Sequence, residues 1–149
     1  MDNKYGHEEI NKMASPDNWE IWPAPKNEEV IYQCFPEFSC KCPRSGYPDF
    51  AKIHLIIVPD EKVLEMKCLK LWLNSYRDKG ISHENATQEI ADTLFNTLSL
   101  KYIYILMEYT PRGNLTTFPM TKRMKLNWEL SSMKDEVAII KRRLLEKVC

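Results

Sequence analysis

The sequence predicts an α+β fold: an antiparallel sheet with two helices on one face, and a further helix near the C-terminal end. Three features predict it. Strand-like segments come in two pairs, one on each side of residues 60–100. Two stretches with helical spacing of apolar residues stand between the pairs. Proline and glycine turn signals close each hairpin or separate it from the helices. The order is β-β-α-α-β-β, and successive hairpins of this kind form an antiparallel sheet that buries one face under the intervening helices.

Residues 1–28 are polar, hold three prolines and carry Trp19-Glu20-Ile21-Trp22-Pro23, so they are expected to form an arm packing through Trp19 and Trp22. Glu29 to Phe35 is the first expected strand, ended by Pro36. Ser39 to Asp49, with its cysteines, glycine and prolines, is the expected loop. Phe50 to Val58 is rich in β-formers and stops at Pro59-Asp60. Leu64, Cys68, Leu71 and Ser75 then recur at helical spacing. Leu69, Trp72, Leu73 and Tyr76 widen that apolar face, and Gly80 stops the helix. Ser82 is an N-cap for a second helix reaching about Leu98, with Ala86, Ile90, Leu94 and Leu98 on its apolar face. Lys101 to Tyr109 is a long strand, apolar on both alternations at its centre. Pro111-Arg112-Gly113-Asn114 turns the chain, and Leu115 to Met120 returns as the fourth strand. Met133, Val137, Ile140 and Leu144 mark an amphipathic helix over Ser131 to Val148. The chain thus divides into an arm (1–28), a central domain (29–120) and a helical extension (121–149).

A chain of 149 residues suffices for one domain with one sizeable core. Lys and Arg number 21, as do Asp and Glu, and the zero formal charge gives no general electrostatic reason to coat nucleic acid or an anionic membrane. No apolar run approaches the roughly 18 residues of a membrane span. Met1-Asp2-Asn3-Lys4 lacks the apolar core of a signal peptide, so a cytoplasmic protein is expected, with its five cysteines mostly reduced.

Chemistry concentrates in three places. Cys42 lies between Lys41 and Arg44, whose charges favour a thiolate, and Asp49 follows seven residues later as a candidate proton donor. The same segment also reads as buried, inert cysteines, or as a thiolate zinc site of Cys34, Cys40 and Cys42 in a non-catalytic interaction module. Lys67 and Lys70, at i and i+3 near a helix start, suit a dianionic phosphate or simply a solvated basic face. His83-Glu84 opens the second helix: the carboxylate either complements the helix terminus or accepts paired N–H groups of a guanine-like ring, with the imidazole as a proton relay.

Together these residues resemble the QueF-type nitrile reductases over about residues 18 to 118. The specific pieces are Pro36-Glu37-Phe38 leading to Cys42-Pro43 and Pro48-Asp49-Phe50, then Ser82-His83-Glu84, then Pro111-Arg112-Gly113-Asn114. The family's cofactor signature, Glu-x-Lys-x-hydrophobic-Lys-x-aromatic, stands here as Glu65-Met66-Lys67-Cys68-Leu69-Lys70-Leu71-Trp72. The resemblance implies the tunnelling fold, in which β-β-α-α-β-β subunits join side by side into homo-oligomeric barrels with active sites between neighbours. It implies reduction of the nitrile of 7-cyano-7-deazaguanine to 7-aminomethyl-7-deazaguanine by two NADPH, within queuosine or related deazaguanine modification. Cys42 would form a covalent thioimidate, Asp49 would protonate the nitrile nitrogen and His83 would assist. Glu84 would anchor the deazapurine, and Glu65, Lys67, Lys70 and Arg112 would serve the cofactor. No metal is implied. Many relatives carry a second cysteine just after the His-Glu pair, where this chain has Ala86, so a protective disulfide there is not available. The nearest rival is an amidine-forming relative that adds ammonia to the same thioimidate on a base already in nucleic acid. It would share Cys42 and Asp49 without needing the cofactor signature.

Overall fold

The structure is a computed structural model, and it describes residues 6–148. The N-terminal segment forms a short helix, α1 (His7–Met13), and a three-residue strand, β1 (Ile21–Pro23). Two long strands follow, β2 (Ile31–Lys41) and β3 (Pro48–Val58). A short strand β4 (Lys62–Leu64) leads into α2 (Met66–Asn74), a 3₁₀ turn to Asp78, and α3 (His83–Leu98). The chain returns through β5 (Tyr102–Tyr109) and β6 (Met120–Met124), and ends in α4 (Lys134–Val148). The main sheet is antiparallel with strand order β2-β3-β5-β6, and β1 pairs with β4 in a small second sheet. The expected β-β-α-α-β-β order of the tunnelling fold is therefore present, with two helices on one face.

The strand alternation divides the core in two. Ile53, Leu55 and Ile57 of β3 and Ile103, Ile105 and Met107 of β5 pack with Ala86, Ile90 and Leu94 of α3 and with α2. The opposite face, Ile56, Val58, Tyr102, Tyr104 and Leu106, packs with Trp128 and with Val137 and Leu144 of α4. Both faces of β3 and β5 are thus covered, which explains why Lys101 to Tyr109 is apolar on both alternations. Glu28 fastens α4. Its carboxylate takes Lys101 Nζ at 2.6 Å and accepts from the hydroxyls of Ser131 and Ser132 and the amide of Met133 at the head of α4. The Lys101 contact, then Ser131, hold its pKa down at about 2.

Four expectations are corrected. Pro36 does not end the first strand: β2 runs on to Lys41 through an irregularity between Phe35 and Phe38. β2 is an edge strand, where a residue without an N–H breaks no ladder on its open side. The loop expected over Ser39 to Asp49 consequently shrinks to residues 42–47. The fourth strand spans Met120–Met124 rather than Leu115 to Met120. Thr117 and Pro119 still accept bonds from Tyr109 and Met107 of β5, but Pro119 has no N–H with which to extend the ladder. Of the arm's two tryptophans only Trp19 is buried, edge-on to Trp72 with ring centroids 5.0 Å apart; Trp22 is half exposed and its indole donates to Glu20.

Candidate functional site

β2 delivers Cys42 to a tight turn. The Lys41 amide donates to Lys79 O and Lys41 O accepts from the Ile81 amide, tying the strand's end to the segment just before α3. The turn closes on itself: Cys42 N–H donates to Tyr47 O at 2.8 Å, and Gly46 N–H to Cys42 O at 2.9 Å. Gly46 takes φ 74°, a left-handed conformation that a side chain would oppose. This geometry points donors at the partly exposed sulfur. The Ser45 hydroxyl, the amides of Ser45 and Arg44 and the Arg112 guanidinium lower the Cys42 pKa to about 6, so the thiolate prevails at neutral pH.

Asp49 stands opposite Cys40 where β2 and β3 pair, and is 7% exposed. Two side chains from distant parts of the chain reach its carboxylate. Arg112 Nη2 lies 2.5 Å from Oδ1, and His83 Nε2 lies 3.2 Å from Oδ2. Arg112 comes from the turn after β5, where Gly113 and Asn114 both have positive φ, 57° and 66°, as a tight primed turn requires. His83 is the first residue of α3, which starts where Ser82 Oγ accepts the Asn85 amide at 3.1 Å. Tyr109 lies flat against the His83 ring, with centroids 3.6 Å apart and planes 10° apart. Cys42, Asp49, His83 and Arg112 therefore form one constellation: a thiolate and a carboxylate bridged by a guanidinium, with an imidazole on the carboxylate's other oxygen.

The other expected site residues lie on the starts of the two helices. Glu84 is exposed in the first turn of α3, one residue beyond His83. Glu65 caps α2, accepting the amides of Lys67 and Cys68 at 2.9 and 3.0 Å. Burial opposes its ionisation, but those two amides hold its pKa below the usual carboxylate value. Lys67 is partly buried and Lys70 exposed, one turn apart at the N-terminal end of α2. Two ammonium groups beside a helix start suit the phosphates of a dinucleotide cofactor. Glu65 fits the same site by fixing the backbone on which the lysines stand.

Two contributors had no clear signal in the sequence. Ser45 supplies the largest share of the thiolate's stabilisation; a hydroxyl three residues beyond a cysteine is a usable clue only once the turn is known. Tyr109 meets His83 only through the pairing of β5 into the sheet. The three-cysteine zinc alternative gains no geometry. No group of three or more His, Cys, Asp or Glu among the described residues is gathered to hold a metal ion, and Cys40 is fully buried. Burial pushes the Cys40 thiol up to about 11. No helix among the described residues is long and apolar enough to cross a membrane.

Comparison with known proteins identifies the relatives of the chain. The model of the family described as "QueF-like protein" matches residues 48–128, from the strand bearing Asp49 through the Arg112 turn. A protein of Nitratiruptor named NADPH-dependent 7-cyano-7-deazaguanine reductase is 48% identical over 115 residues, covering 76% of this chain and 88% of its own. A protein of the same name from Aquifex aeolicus is 46% identical over 118 residues, covering 78% of this chain and 88% of its own. Among solved structures, the apo form of the archaeosine synthase QueF-Like shares the fold, with a TM-score of 0.58 and 14% identity over 69% of this chain and 99% of its own. Identity approaching one half over most of each relative's length, on top of the matching family model, makes this chain a member of the QueF-like protein family.

Proposed function

We propose that the chain is an NADPH-dependent reductase of the nitrile of 7-cyano-7-deazaguanine, giving 7-aminomethyl-7-deazaguanine for queuosine-type nucleic-acid modification in the cytoplasm. The observation that carries this reading is the bridged pair: a thiolate with a pKa of about 6 joined through Arg112 to the buried Asp49, which also meets His83. The names of relatives 46% and 48% identical support the substrate and the cofactor.

The Cys42 thiolate attacks the nitrile carbon. A C–S bond forms, one C–N π pair moves onto nitrogen, and the proton that nitrogen takes comes through Asp49 from His83. The product is a neutral thioimidate. NADPH, when bound, supplies hydride, two equivalents for the four-electron reduction of nitrile to amine. After the first equivalent the C–S bond breaks and Cys42 leaves as a thiolate, stabilised again by Ser45, the turn amides and Arg112. The imine so released would take one further hydride and one proton to become the amine. Lys67 and Lys70 would hold cofactor phosphates, and the Arg112 side chain, 48% exposed, keeps donors for the same purpose. Glu84 would accept paired N–H groups from the pyrimidine edge. β2 and β6 are open edges of the sheet, and a homo-oligomer that pairs them would bring a neighbour up to the exposed Glu84.

The test is NADPH oxidation on addition of 7-cyano-7-deazaguanine. Lys67→Ala and Lys70→Ala are expected to raise the cofactor KM roughly ten- to a hundredfold, the worth of a charge-assisted contact. Adduct formation at Cys42 should be spared in both. A wild-type protein that ignores NADPH and consumes ammonia on a nucleic-acid-borne nitrile would overturn the reductase reading in favour of the amidinotransferase.

A further inference from the structure

A second cavity, of about 480 Å³, opens between α4 and the sheet face that α4 covers. It lies across the sheet from the nucleophile. Lys52 and His54 of β3, which line it, alternate with Ala51 and Ile53, which face α2 and α3 as Asp49's side of the strand does. Its polar floor is a hydrogen-bonded chain. The Tyr32 hydroxyl meets His54 Nδ1 at 2.6 Å, and His54 Nε2 is bonded to Glu108. His54 is 6% exposed, so this chain is built into the wall, and Glu108 is turned toward the imidazole. Lys52, the cross-strand partner of Glu108, is therefore in no ion pair among the described residues. Nor are Arg143 and Lys147 on the opposing turns of α4, among the described residues. Among the described residues, three cations thus line a cavity whose one carboxylate, Glu108, is engaged by His54. The remaining wall is apolar, from Ile140 and Leu144, and the half-exposed Tyr32 ring stacks parallel to His54.

We infer that this cavity is a second ligand site, for an organic phosphate of mononucleotide size. Its volume falls in the range of small-molecule sites and is far larger than a bare phosphate needs. Lys52, Arg143 and Lys147 bind the phosphate, and Tyr32 with the α4 aliphatic residues receives a flat or apolar body. None of the catalytic constellation takes part.

Calorimetric titration of the full-length protein with AMP tests this, with adenosine and inorganic phosphate as the separated halves. AMP is expected to bind at least tenfold more tightly than either half. Arg143→Ala/Lys147→Ala should weaken AMP at least tenfold while leaving NADPH oxidation unchanged. Lys52→Ala, an exposed strand position on the other wall, should do the same independently of the helix. Lys67→Ala/Lys70→Ala should leave AMP binding intact. Absence of AMP binding to the wild type, binding indifferent to the three cavity cations, or binding lost with Lys67 and Lys70 would each overturn the assignment.

Discussion

Cys40 and Cys42 stand two residues apart, on the same alternation of one chain segment, yet folding drives their thiols in opposite directions. Cys40 is still in β2, fully buried beside Tyr109, and burial raises its pKa to about 11. Cys42 has just left the strand. Its sulfur meets a hydroxyl, two turn amides and a guanidinium, and its pKa falls to about 6. At pH 7 this leaves roughly ten thiolates per thiol at Cys42 and about one in ten thousand at Cys40. Sequence neighbours with similar flanking charges differ because one is enclosed by apolar surface and the other by donors. Reactivity is set where strand becomes turn.

The strongest way to break this contrast is Cys42→Ala. Turnover and any covalent adduct with 7-cyano-7-deazaguanine are expected to vanish, as read by intact-protein mass spectrometry. An adduct that persists on Cys40 would mean that burial does not silence that thiol. Asp49→Asn comes next. It keeps the size of the side chain but loses the acid held between Arg112 and His83, so kcat should fall by roughly 10²–10⁴-fold. Noncovalent substrate binding should survive, which equilibrium binding can check. Cys40→Ala should act on stability alone. It leaves a small void at a fully buried position and costs about 1 kcal/mol in denaturant melts, with alkylation of Cys42 at pH 7 unchanged.

Local features were legible in the sequence, and features made by tertiary pairing were not. Ser82 and the periodic Ala86, Ile90 and Leu94 specify α3 almost to the residue, because a cap and a face are encoded within a few turns. Cys42, Asp49 and His83 could be named as candidates from residue type and resemblance. Their joint geometry could not, since it depends on the register that sets Cys40 opposite Asp49 and on the tie between Lys41 and the residues before α3. Arg112, which the resemblance assigned to the cofactor, lies against Asp49 and the thiolate. Pro36 misled because the rule that proline ends a strand holds for central strands, and β2 is an edge. The amphipathic pattern of α4 was visible, but nothing local says that it covers the far face of the sheet.

The smallest effect is the sharpest probe of the turn. Ser45 is the foremost of the groups that lower the Cys42 pKa, and Ser45→Ala removes its hydroxyl while leaving the two amides and Arg112 in place. The pKa should rise from about 6 to about 7, roughly the worth of one hydrogen bond to a charged group. A lowered thiol pKa keeps the thiolate present above about 6 and loses it as pH falls through that value, so the acid limb of adduct formation should move upward by about one pH unit. At pH 7 the thiolate fraction drops from roughly nine-tenths to roughly half, a rate loss of about twofold. Above pH 8 the two proteins should converge. Stopped-flow adduct formation from pH 5 to 9 separates this from a structural role. A variant slowed equally at every pH, with its acid limb unmoved, would show that Ser45 shapes the turn without stabilising the thiolate. The contrast between Cys42 and Cys40 would then rest on the backbone amides and Arg112.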